Sequence, residues 1–288
     1  RSLVTVSAGN VASGSSITLT LSAKDSEGNA LQTGGATVVF SHSGGVSTGT
    51  ISSTVDNSNG TYTAQFTGVL AGAATTIRAT INGDSVTTTL PVVVVSPGPI
   101  SVTESVLTVS SSTVASGTVS NLRLSAKDAA GNALTSGSAS VVFARSGGGS
   151  TGTISATTDN NDGTYDATFT GVLAGSATTI TAAISGTPVS SSQTITVVPG
   201  TISKNRSTVE VASPTVASGT GVTLTLRARD AAGNTLTSGG ALVAFSYSGG
   251  TSLGIIGTVS YAGGGAYTAT FTGTTVGTAT AVTATIDG

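Results

Sequence analysis

Three carboxylates fall close together at Asp159, Asp162 and Asp166. Carboxylates grouped around a turn are the raw material of a calcium site, which collects about six to eight oxygens. The other group able to act near neutral pH is the single histidine, His42. Neither has the company its chemistry requires. The chain has no cysteine and no second histidine, so His42 can complete neither a zinc site nor a catalytic triad. No serine sits in a Gly-x-Ser-x-Gly elbow between a strand and a helix. The glycine-rich stretches Ser146-Gly-Gly-Gly-Ser150 and Gly263-Gly-Gly265 lack the Gly-Lys-Ser/Thr and the helix that make a phosphate loop. Asn59-Gly-Thr61 and Asn205-Arg-Ser207 spell a glycosylation signal, as chance allows in a chain so rich in Asn, Ser and Thr.

The elements that would have to position these residues emerge from an internal repeat. Asp25-Ser-Glu-Gly-Asn-Ala-Leu31 returns as Asp128-Ala-Ala-Gly-Asn-Ala-Leu134 and as Asp230-Ala-Ala-Gly-Asn-Thr-Leu236. The period is domain-sized and far longer than a solenoid unit. It divides the chain into 1–96, 97–199 and 200–288. Aligning the copies tests each candidate site. The turn holding Asp159 and Asp162 offers only Asp56 in the first copy and reads Tyr261-Ala-Gly-Gly-Gly265 in the third. A hairpin turn tolerates that exchange, whereas a required ion does not. His42 is replaced by Arg145 and Tyr247 and reads as a surface loop residue. Asp25, Asp128 and Asp230 each stand nearly alone and read as turn caps, their carboxylates accepting from backbone amides beyond them. No catalytic, cofactor-binding or metal-binding residue is assigned, and no cofactor is expected.

Within each copy the hydrophobic period is two. Ile17, Leu19, Leu21 and Ala23 alternate with small polar residues, as do Leu122, Leu124 and Ala126, then Val222, Leu224, Leu226 and Ala228. That is a strand with one buried face and a strongly fixed register. Ala36, Val38 and Phe40 predict the next strand, Gly49 to Val55 a weaker one, Tyr62, Ala64 and Phe66 another, and Ile77, Ala79 and Ile81 another. Ser85 to Val95 reads as the last, and Ser2 to Ser7 as the first. Seven strands, A to G, in about 100 residues predict an all-β immunoglobulin-like sandwich. No stretch carries a helical period. All six Phe occupy two repeat positions, and Tyr62, Tyr165 and Tyr267 a third, in phase with the buried aliphatics. They are expected in the core, leaving no aromatic platform for a sugar.

Composition narrows the function classes. Charged residues make up 8% of the chain and the net charge is −2, so neither a nucleic-acid binder nor a polybasic membrane segment is expected. No apolar run approaches the roughly 18 residues of a membrane span. Arg1-Ser-Leu-Val-Thr reads as strand rather than as a secretory leader. The absence of cysteine and the uncharged polar surface lean towards an extracellular address.

Val-Ala-Ser-Gly, Leu-Ser-Ala-Lys-Asp-x-x-Gly-Asn-Ala-Leu, Asp-Asn-x-x-Gly-Thr-Tyr-x-Ala-x-Phe-Thr and Ala-Gly-x-Ala-Thr-Thr-Ile, in this chain, resemble bacterial immunoglobulin-like repeats of the invasin/intimin type (Big_1-like) of surface adhesins. The turn from Asp159 to Tyr165 also resembles that of filamin-type immunoglobulin domains. The resemblance spans all three repeats and implies a bacterial, cell-surface, non-enzymatic stalk. Its partners would be neighbouring immunoglobulin-like domains of the same chain, with receptor binding usually in a separate tip domain. No lectin-like tip is present, so the resemblance assigns neither a receptor nor a binding residue. Pro91-Val-Val-Val-Val-Ser-Pro-Gly-Pro99 and Val197-Val-Pro-Gly-Thr201 should hold neighbours end to end, giving a rod of roughly 110–130 Å at about 3.3 Å per strand residue. By alignment, the third repeat lacks the counterpart of residues 84–95, strand G, which exposes a sheet edge. Two readings follow: a window from a longer array, or a strand donated by another copy against residues 282–287. The alternatives to a stalk are a subunit of a polymeric filament or sheath and, disfavoured, a carbohydrate-binding accessory module.

Overall fold

The computed structural model describes residues 1–287. Among these there is no helix, and the strands form six sheets, two per repeat. In the first repeat the strands are β1 (Leu3–Val6), β2 (Asn10–Ala12), β3 (Ser16–Ser22), β4 (Val38–Ser43), β5 (Thr48–Ile51), β6 (Val55–Asp56), β7 (Thr61–Leu70), β8 (Thr75–Ile81), β9 (Asp84–Ser85) and β10 (Val92–Ser96). One sheet runs β1-β3-β7-β5 with β6 beside β7; the other runs β2-β10-β8-β4 with β9 beside β8. The second repeat has the same order.

Register follows the alternation. In the β3–β7 ladder Ile17 faces Phe66, Leu19 faces Ala64 and Leu21 faces Tyr62, and all six side chains are buried. Their polar neighbours Thr18, Thr20 and Gln65 stay half-buried or exposed. Phe66 and Phe169 are wholly buried, and Phe40, Phe143, Phe271, Tyr62, Tyr165 and Tyr267 nearly so. Each tyrosine also performs a polar task. Its hydroxyl accepts the amide of Ala36, Ala139 or Ala241, which ties the loop after the Asp turn to the core. A buried phenol needs such a partner.

The structure departs from the sequence expectation at three strands. The first is broken: β1 pairs antiparallel with β3, then the chain changes sheet and β2 pairs parallel with β10. The expected strand from Ser85 to Val95 is interrupted between β9 and β10, as its counterpart in the second repeat is between Thr187–Pro188 and Gln193–Val198. The expected strand from Gly49 to Val55 is likewise split into β5 and β6. A bulge between Thr48 and Gly49 has a packing reason. A Cβ on Gly49 would lie 2.6 Å from the Phe66 ring, so only glycine lets the ring lie against the backbone there.

The third repeat keeps one sheet complete, while the other is reduced to Val243–Ser248 paired with Ala281–Ile286. The core thins accordingly: Phe245 and Val282 are only half-buried, whereas the equivalent Phe143 and Ile180 are buried.

Candidate functional site: the joints between repeats

Asp-x-x-Gly-Asn first makes a local turn. In the first repeat the Asp25 carboxylate accepts the amides of Gly28 and Asn29, both at 2.8 Å, and the Asn29 side-chain NH2 at 2.9 Å. Gly28 takes φ +98°, a conformation that favours glycine. The Asn29 side chain, followed by backbone amides, holds the Asp25 carboxyl below its ordinary value. Asn29 itself is exposed.

The second and third copies close the same turn and add a second task. Asp128 Oδ1 accepts the amides of Ala130 and Asn132, both at 2.9 Å. Its Oδ2 accepts the Asn132 side chain and the amide of Gly98, both at 2.8 Å. Gly98 lies in the linker. Asn132 then reaches into the preceding repeat: its NH2 donates to the Val69 carbonyl at 2.8 Å, and its oxygen accepts the Ala71 amide at 2.9 Å. The next joint repeats the pattern. Asp230 Oδ2 accepts Gly200 N–H at 2.8 Å and the Asn234 side chain at 2.7 Å. Asn234 donates to Val172 O and accepts from Ala174 N, both at 2.8 Å. Asp128 and Asp230 are each only 1% exposed.

Burial pushes the carboxyls of Asp128 and Asp230 upward. The amides and Asn side chains around them outweigh it, so both end below the ordinary value. These aspartates are therefore ionised, nearly buried, and satisfied by four donors each, the condition for burying a charge at tolerable cost. All three aspartates cap their turns, and Asp128 and Asp230 also hold the linker amide. The sequence carried a signal that the reading passed over: a linker Gly beside Pro, at Pro97-Gly98-Pro99 and Pro199-Gly200, ahead of each of these two turns.

The linker adds its own constraint. Only residues 97–99 separate β10 from the strand Ile100–Val109, whose first residues pair with Asp128 and Lys127. In the next joint Ile202 bridges Asp230. A Cβ on Gly98 would sit 2.5 Å from Ser13 O, and one on Gly200 2.7 Å from Ser116 O, so the linker lies tight against the preceding repeat. Each joint is thus a short strand-like connection, a buried carboxylate on the linker amide, and an asparagine bridging two backbone groups of the neighbour.

The other candidates have local duties. Asp159 accepts the amides of Ser138 and Asn161, Asp162 accepts from Thr164, and Asp166 forms a two-bonded pair with Arg123 at 2.7 Å. Among the described residues no group of three or more His, Asp or Glu is arranged to hold a metal. The third-repeat residue at the Asp159 position, Tyr261, packs against Tyr267 with centroids 5.1 Å apart. His42 is in strand β4, not a loop, which corrects the sequence expectation. Its ring meets Phe66 edge-on at 5.6 Å and its Nε2 donates to Gly49 O at 3.2 Å. Arg145 Nε donates to Gly152 O and Tyr247 OH to Gly254 O. The three unlike residues share one demand, a donor able to reach the carbonyl of the bulge glycine. Ser47 and Ser150, between Gly45 and Gly49 and between Gly148 and Gly152, are buried. Each hydroxyl donates to a carbonyl, Gly72 or Gly175, and accepts an amide, Val95 or Val197. They staple the last strand and are not exposed nucleophiles. Gly147 to Gly149, Gly264 and Gly265 lie at turns between strands.

The chain matches the family described as invasin, domain 3, three times, over residues 1–96, 101–200 and 203–288. No curated protein sequence matches it. Among solved structures it resembles the Escherichia coli adhesin FdeC at 27% identity and a TM-score of 0.58, covering 100% of this chain and 92% of that one. It resembles the bacterial integrin-binding protein invasin at 24% identity and a TM-score of 0.51, covering 100% of this chain and 57% of that one. It is also similar in fold to InvD of Yersinia pseudotuberculosis, at 19% identity and a TM-score of 0.50, over 99% and 84% of the two chains.

Proposed function

Because the chain belongs to the invasin domain 3 family, we propose that it is a stalk of a bacterial cell-surface adhesin, a non-enzymatic spacer of three immunoglobulin-like domains. The domains are 1–96, 97–199 and 200–288. The adhesin assignment draws on the likeness to FdeC along the whole chain. The spacer role rests on one observation, the joint. Asn132 and Asn234 each bridge two backbone groups of the preceding repeat, and Asp128 and Asp230 each pin the linker. A joint with four protein donors around a buried carboxylate resists bending, which a passive tether does not need. The domains then transmit length and direction, and a receptor contact belongs to another part of the adhesin.

Small-angle scattering of the chain tests this. A stalk gives a maximum dimension on the order of 110–130 Å at about 3.3 Å per strand residue, with little change between low and high salt. A distribution characteristic of freely jointed beads would overturn it. Electron micrographs of the native material separate isolated rods from filaments with a helical repeat, and the latter would favour the polymeric reading.

A further inference from the structure

Tension along the chain enters a repeat through its first strand and leaves through its last. The second repeat shows the path, since a linker adjoins each of its ends. Residues 97–99 lead into Ile100–Val109, and Gln193–Val198 leads into Pro199-Gly200. Shortly after the first strand, Thr113–Ala115 crosses to the other sheet and lies parallel to Gln193–Val198. Thr113, Val114 and Ala115 stand opposite Thr196, Val197 and Val198. The Thr196 amide donates to Ser112 O at 2.9 Å, and the Ser116 amide to Val198 O at 2.8 Å. Val114 and Val197 are buried in the core behind this ladder. Val197 has further ties: its amide donates to Ser150 Oγ at 2.8 Å, and its carbonyl accepts the Gly175 amide at 3.1 Å. The first repeat is built alike, with Asn10, Val11 and Ala12 opposite Val94, Val95 and Ser96.

Ladder bonds run between strands rather than along them. Parallel strands pulled by their opposite ends slide past one another, so these bonds are loaded together and fail together. Strands peeled apart from one end lose them one at a time. The start of Thr113–Ala115 is drawn toward the preceding repeat and the end of Gln193–Val198 toward the following one, which is the sliding geometry. We propose that this parallel pair is a load-bearing clamp, the element that sets how long a repeat withstands tension before it unfolds. The purpose of such a clamp rests on the stalk reading, since a stalk is pulled along its length. Its mechanics depend on the pairing alone.

Constant-tension measurements on the intact chain, held by its two ends, test the clamp. Thr113→His with Thr196→His sets two imidazoles opposite each other on the outer side of the parallel pair. Thr153→His with Thr170→His does the same on an antiparallel pair of the other sheet. Ni2+ bridging either pair should raise the melting midpoint, because it binds the folded repeat. Under tension the two should differ. Ni2+ on the 113/196 pair should lengthen the lifetime of one unfolding step per molecule by about tenfold or more. On the 153/170 pair it should change step lifetimes by less than about twofold, because those strands are still paired when the clamp breaks. Without metal, Thr196→Pro, which removes the amide bonded to Ser112 O, should shorten one step about five- to tenfold. Equal lengthening by both metal pairs, or a Thr196→Pro chain that folds and keeps the parent's lifetimes, would overturn the clamp. Either result would leave the scattering dimension as it is, so a failed clamp and a failed stalk are told apart.

Discussion

Replacing Asn132 by alanine should unlock the first joint, and the chain contains its own control. Asn29 and Asn132 close the same turn with the same bond to the aspartate, at 2.9 and 2.8 Å. They differ in that Asn132 also bonds Val69 O and Ala71 N across the joint. The difference between Asn132→Ala and Asn29→Ala therefore isolates the cross-repeat part. Val69 O keeps the Ser13 hydroxyl at 2.9 Å, so that side loses about 1 kcal/mol, while the Ala71 amide loses the Asn132 oxygen and costs about 1–2 kcal/mol. The joint loses about 2–3 kcal/mol, a shift of roughly 30- to 140-fold in the ratio of locked to unlocked forms. The chain has no cysteine, so Ser53→Cys and Ala156→Cys place spin labels on exposed positions of the two repeats. Electron–electron resonance should give a narrow distance distribution for the parent and for Asn29→Ala, and a broad one for Asn132→Ala. Equal widths in all three would refute the claim that Asn132 holds the joint.

The joints should also be acid-sensitive. Asp128 and Asp230 have folded pKa values below the ordinary carboxylate value, so their stabilisation is complete above about pH 4 and is lost as pH falls through the lowered folded value. Denaturation series should show the gap between the parent and Asp128→Asn narrowing below about pH 4; a gap independent of pH would count against the ionised carboxylate. Gly98→Ala places a Cβ 2.5 Å from Ser13 O and should destabilise by about 1–3 kcal/mol through a displaced linker, visible as a broadened spin-label distance. Millimolar calcium should leave the melting curve unchanged, because Asp159, Asp162 and Asp166 are already bonded to Ser138, Thr164 and Arg123; a rise in the midpoint would revive the metal reading. Phe169→Ala, at a wholly buried position, should cost about 3–5 kcal/mol in chemical denaturation.

Period-two alternation made the sandwich legible because burial in a sheet is a one-dimensional signal. Leu122, Leu124 and Ala126 are inward in sequence and buried in space. Where pairing depends on partners distant in sequence, the signal was weaker. The switch of the first strand from β3 to β10 happens near Gly9, and nothing in Ser2 to Ser7 marks it. The joint was half legible. Asp25, Asp128 and Asp230 stood out by repetition, and their local caps follow from residue type. The second role of Asn132 depends on which backbone groups a neighbouring repeat presents, and backbone acceptors leave no trace in residue identity. His42 was misplaced for a related reason. Its replacement by Arg145 and Tyr247 suggested an unconstrained surface, whereas all three satisfy one requirement by different atoms.

That asymmetry bears on how such a chain keeps its joints through repetition. The hook is a side chain, Asn132 or Asn234, and the socket is main chain, at 69 and 71 or at 172 and 174. A socket made of a carbonyl and an amide survives a change of side chain, so positions 69 and 71 are free to vary while the hook is not. At the corresponding end of the third repeat, Thr274 and Val276 stand in place of Val172 and Ala174, and the backbone of that strand still ends in the same geometry, with Ser218 bonded to Thr274 O as Ser116 is to Val172 O. A hook–socket pair of this kind needs specification on one side only. A domain carrying Asp-x-x-Gly-Asn therefore brings its joint with it wherever the preceding domain ends in that strand. A chimera joining residues 1–97 directly to residues 200–288 puts Asn234 against the socket at 69 and 71 and keeps the linker glycine at Gly200, and it should retain a locked joint for that reason. Loss of the narrow inter-repeat distance in the chimera, with both repeats folded, would show that side chains of the socket matter after all.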